Sequence, residues 1–95
     1  MAVLFPVKGL PEYLHSPNPA SAKWGYRDLQ QVVGGTFEIL YPIVNPHCDR
    51  VMIVNEEARI RQLPWNEEAS ELWKRWGGRE RLRGPVLLVK SSEIE

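Results

Sequence analysis

The side chains with chemical potential in this sequence fall into four sets. His47, Cys48 and Asp49 are consecutive, and with His15 they offer the imidazole, thiol and carboxylate groups that ligate metals or form a nucleophile pair. Adjacency argues against both uses, because neighbouring side chains in a turn diverge, whereas such sites recruit partners from separated positions. The expectation is a polar turn with an incidental thiol and no metal site. Glu38 and Glu56, with Glu57, Asn55 and Asn66, carry carboxylates and carboxamides that would hold a cation, move a proton or line a pocket if the fold brought them together. No His, Ser or Lys at a recognisable spacing completes a catalytic set. The chain also lacks a P-loop, a dinucleotide fingerprint and a nucleophile elbow. Catalysis is therefore not expected, and no cofactor is implied.

The third set is basic. Lys74, Arg75, Arg79, Arg81 and Arg83 face only Glu80 in sequence and lie beside Trp73 and Trp76, a mixture that can bind nucleic acid through phosphates and stacked bases. Burying a tryptophan contributes roughly 4 to 6 kcal/mol at most, against about 1 to 3 for a stacked base, so Trp73 and Trp76, in helical register with Leu72, belong in the core. The arginines remain free for a partner. Trp24 and Trp65 form the fourth set. Each sits beside proline- or glycine-containing turns and outside the clear apolar faces, and tryptophan is enriched among interface anchors.

These groups must be positioned by one small body. Ninety-five residues make a single domain that buries about 60 to 65% of its unfolded surface. With 43% hydrophobic and 25% charged residues, neither disorder nor a membrane span is expected. Twelve basic residues balance twelve acidic ones, which removes any global attraction to nucleic acid or anionic lipid. One cysteine excludes an internal disulfide and fits a reducing cytoplasm, and the start Met1 to Phe5 does not read as a signal peptide.

The order of apolar residues predicts the elements. Ala2 to Val7 reads as a buried strand, Leu10 to Ser21 as a proline-rich loop, and Gly25 to Val33 as a short amphipathic helix closed at Gly34-Gly35. Phe37, Ile39 and Tyr41 alternate as a strand, and Val51 to Val54 is a continuous apolar run of the kind covered on both faces. Arg59 to Leu63 alternates again, so Arg50 to Leu63 reads as a hairpin. Asn66 to Trp76 has an asparagine cap, acids in its first turn, bases in its last and Gly77 beyond, all signals of a helix. Val86 to Val89 is a last strand before a polar tail at 91–95. The expected class is α+β: a mixed or antiparallel sheet of about five strands, in sequence β-α-β-β-β-α-β, covered by two helices in a two-layer body.

Four motifs in this order carry a resemblance. Leu29-Gln30-x-Val32-Val33-Gly34-Gly35-x-x-Glu38, Val54-Asn55-Glu56-Glu57, Leu63-Pro64-x-Asn66-x-x-Ala69 and Gly84-x-Val86-Leu87-x-Val89 together resemble a domain-of-unknown-function family, number 3846, of small phage, plasmid and bacterial proteins. The resemblance implies a compact α+β domain, often phage-encoded, and no catalytic residue. The functional expectation is a non-catalytic binding module that engages a host or viral macromolecule in the cytoplasm, with Trp24, Trp65, Arg79, Arg81 and Arg83 as contacts. A nucleic-acid binder using Lys74 to Arg83 is the first alternative. The second captures a small molecule or nucleotide in a pocket lined by Glu38, Asn55, Glu56 and Asn66. A homo-oligomer is left open.

Overall fold

The computed structural model describes residues 2–18, 20–45 and 47–94. Met1 of the apolar start, Pro19 of the proline-rich loop, Pro46 of the turn and Glu95 of the tail lie outside the described residues. Five strands and two helices occur in the order β1 (Ala2–Phe5), β2 (Glu12–Leu14), α1 (Tyr26–Val33), β3 (Phe37–Leu40), β4 (Arg50–Asn55), α2 (Glu67–Arg75) and β5 (Val86–Lys90). The sheet order is β2-β1-β5-β4-β3, and every adjacent pair is antiparallel. This is the expected α+β class with five strands and two helices.

Alternation along the strands divides the core in two. Val51 and Ile53 of β4 and Leu87 and Val89 of β5 pack with Leu29 and Val33 of α1. The intervening Met52, Val54, Val86 and Leu88 pack with Ala69 and Trp73 of α2. Side chains point to opposite faces at successive positions of a strand, so the two helices cover opposite faces of the sheet. The two-layer expectation is corrected to three layers, and β5, with β4 beside it, is buried on both sides. Trp73 is buried and Trp76 packs at the margin of the same cluster, both as expected.

Helix ends are set by the residues that signalled them. Gly34 closes α1 in the left-handed conformation (φ 81°). Asn66 caps α2, its Oδ1 accepting from the Ala69 amide at 3.1 Å. Gly78 has a steric reason: a Cβ there would lie 2.0 Å from the indole of Trp73.

Three local expectations differ. Arg59 to Leu63 is a compact turn rather than a strand. The Asn55 Oδ1 accepts from the Glu57 amide, and the Arg61 and Leu63 amides donate to the carbonyls of Glu57 and Ala58, so local bonds replace a second ladder. The fifth strand is instead β2, inside the proline-rich segment. Its three residues fit between Pro11 and Pro17 because an edge strand pairs on one side only. The polar tail is folded back: Ser91–Glu93 forms a 3-10 turn, and Ile94 pairs with Trp24 and packs against the core of the α1 face.

The Asn66 carboxamide also donates to the Phe5 and Gly84 carbonyls, at 2.8 Å each. Asn66→Ala removes a cap and leaves two inward carbonyls without their donor, and is expected to lower stability by about 2 to 4 kcal/mol in urea denaturation.

Candidate functional site

A cleft of about 400 Å³ opens on the α2 side of the sheet, over the β3–β4 margin that α2 leaves uncovered. One wall belongs to the sheet. Glu38 stands on β3 directly opposite Val54, and Glu56 follows β4, its amide donating to the Thr36 carbonyl. The other wall is a ridge built by two short extended segments that pair as an antiparallel bridge between Trp65 and Arg83. The Gly84 amide donates to the Pro64 carbonyl at 2.8 Å and the Asn66 amide to the Leu82 carbonyl at 2.9 Å. The Ser70 hydroxyl accepts from the Leu82 amide at 2.8 Å and donates to the Asn66 carbonyl at 2.6 Å, so the ridge is bolted to the first turn of α2.

On this ridge the Arg81 and Arg83 guanidinium carbons lie 4.1 and 3.7 Å from the centroid of the Trp65 ring. Arg81 also pairs with Glu67, and Arg83 donates to the Leu63 carbonyl at 2.9 Å. Trp65 remains 40% exposed. It is a large ring held in place by cations and still open to a partner. The turn after β4 supplies the cleft end, where Ile60 is 84% exposed beside Arg59. Glu80 completes the lining, its Oε1 accepting from the Trp73 indole N–H at 3.1 Å.

Two sets of residues read separately from the sequence thus meet. Glu38, Asn55 and Glu56 share one cleft with Trp65, Arg81 and Arg83. Asn55 lines it but is committed to the fold: its Nδ2 donates to the Val33 carbonyl at the end of α1, and its Oδ1 starts the following turn. Asn66 is corrected. It is buried outside the lining, with both ends of its carboxamide bonded within the fold. Trp24 is also corrected, since it is 3% exposed in the core of the α1 face and offers no surface to a partner. Arg79 is exposed but stands apart from the cleft lining.

The basic run from Lys74 to Arg83 is divided. Lys74 and Arg75 end α2, while Arg81 and Arg83 face the cleft. Among the described residues no group of three His, Cys, Asp or Glu side chains is placed to hold a metal ion, and no helix is long and apolar enough to cross a membrane. Sequence reasoning missed Arg59, Ile60 and Glu80. Ile60 lies in a stretch that reads as a strand and folds as a turn, and Glu80 stands in sequence as the lone acid of a basic run.

Residues 8–95 match the family described as Domain of unknown function (DUF3846). The chain belongs to this family. No curated protein and no solved structure matches the chain. Within the family assignment, the motifs that carried the resemblance have distinct structural roles. Gly34 closes α1, Asn55 ties that helix end to β4, Asn66 joins β1 to α2, and Glu38 and Glu56 are left facing the cleft.

Because Trp65 is outside both cores and partly open, Trp65→Ala is expected to cost about 1 kcal/mol or less in thermal or urea unfolding and to leave the folded spectrum intact.

Proposed function

We propose that this protein is a non-catalytic binding module that takes an extended segment of a partner protein into the cleft between β3–β4 and the Trp65 ridge. The observation that carries this reading is the half-open Trp65 ring under two guanidinium groups, beside the strongly exposed Ile60. Tryptophan and arginine are the residue types that dominate binding energy at protein interfaces, most of all where their geometry is fixed before the partner arrives. β3 is an edge strand, so its free side offers backbone donors and acceptors to an extended chain.

Charge favours a protein over nucleic acid here. The cleft lining contains Glu38, Glu56 and Glu80 against Arg59, Arg81 and Arg83. These charges cancel and give a polyanion no net attraction. Arg81 and Arg83 are also engaged already by Glu67, the Leu63 carbonyl and the Trp65 ring. A segment carrying both signs, or a small zwitterion, matches the two walls better. The cleft volume is within the range of small-molecule pockets, which favours capture of a small molecule as the second reading. In the leading reading the chain is encoded by a phage or other mobile element and acts in the host cytoplasm, in keeping with the resemblance on which it rests.

The test is a quantitative pulldown from host lysate. The wild type should retain a stoichiometric partner. Trp65→Ala should lose it about tenfold or more, and Arg27→Ala at an exposed position of α1, across the sheet from the cleft, should not. No stoichiometric partner, or equal retention by Trp65→Ala, contradicts the reading.

A further inference from the structure

The same face of the sheet has a second uncovered region beyond α2. There the strand register sets Arg50 of β4 directly opposite Lys90 of β5. Like charges facing each other across an antiparallel pair repel, so a fold selected for stability alone would place an opposite charge at one of these positions. Among the described residues neither cation has a side-chain hydrogen bond or an ion-pair partner. Both are exposed. They line a notch of about 130 Å³ together with Tyr13, Val3, Leu88 and Val89.

The surroundings give the notch a definite chemistry. Tyr13 pairs opposite Val3, which in turn pairs opposite Leu88, so the phenol ring, an apolar floor and the two cations share one face. Tyr13 is 73% exposed, so its ring and hydroxyl are accessible. The notch is too small for a whole drug-sized ligand and is suited to a single charged group. Among the described residues no carboxylate lines it. An oxyanion seated between Arg50 and Lys90 would convert a repulsive pair into two charge-assisted hydrogen bonds, and the phenol could donate a third.

The geometry points to an oxyanion site at Tyr13, Arg50 and Lys90, with a phosphate group as its ligand. It is independent of the cleft, which lies at the other margin of the face and, among the described residues, shares no lining residue with it. The ligand is inorganic phosphate or the phosphate of an ester whose aromatic portion rests on Tyr13.

Titration with inorganic phosphate at low ionic strength tests this, with chloride at matched ionic strength as reference. Backbone amide NMR shifts and the melting temperature are the readouts. Phosphate should move the Arg50, Val89 and Lys90 amides saturably and raise the melting temperature. Arg50→Gln and Lys90→Gln should each weaken binding by about tenfold or more. Without phosphate, Lys90→Gln should melt no lower than the wild type, because it removes a repulsion. Adenosine monophosphate binding more tightly than phosphate, with the gain lost in Tyr13→Ala, identifies an aromatic ester; equal binding identifies phosphate itself. A phosphate response no larger than that to chloride, or one undiminished in the Arg50→Gln/Lys90→Gln double variant, overturns the proposal.

Discussion

The carboxamide of Asn66 is where the separate parts of this molecule are joined. One oxygen accepts the Ala69 amide and starts α2, while the nitrogen donates to the carbonyls of Phe5 at the end of β1 and Gly84 ahead of β5. All three bonds are made inside a residue that is 1% exposed. Buried backbone carbonyls that lose their donor cost more than the bond contributes, so the site tolerates little change. The bonds fix where α2 begins relative to the sheet. Through Ser70 and the Leu82 carbonyl they also fix the ridge that carries Trp65, Arg81 and Arg83.

From that attachment the distribution of surface follows. β4 and β5 are apolar at consecutive positions and need cover on both faces. α1 covers one face, and the nine-residue α2 covers only the middle of the other. Among the strips left open on the α2 side, one lies at β3–β4 and another toward Arg50 and Lys90. The first is walled by the ridge and contains balanced charge. The second is a small notch whose charged groups, among the described residues, are the cations Arg50 and Lys90. A single short helix thus leaves two openings of different electrostatic character on one face.

Much of this was legible in the sequence wherever the cause is local. Asn66, Gly34 and the acids and bases at the ends of α2 act within a turn or two of themselves, and the structure places each helix end where they indicate. The continuous run Val51 to Val54 already implied cover on both faces, which three layers provide and two do not. What was not legible depends on contacts distant in sequence. Trp24 looked like a free aromatic because its neighbours are turns, yet its place in the core comes from pairing with Ile94. Arg59 to Leu63 alternates like a strand, but the bond from the Glu57 amide to Asn55 bends the chain before pairing can start. The site residues were mostly named, in two unrelated groups. Their convergence rests on the Trp65–Arg83 bridge, which no local pattern announces.

The central claim is that the cleft exists before any partner binds, its ridge held by buried hydrogen bonds that open only when the whole fold opens. Native-state hydrogen exchange of the Asn66, Leu82 and Gly84 amides tests this directly, since they donate to the Leu82 carbonyl, the Ser70 hydroxyl and the Pro64 carbonyl. Exchange of all three with opening free energies close to that of the β4 and β5 amides is the predicted result. Fast exchange at these three positions, like that of an exposed loop, while β4 and β5 stay protected, would contradict it.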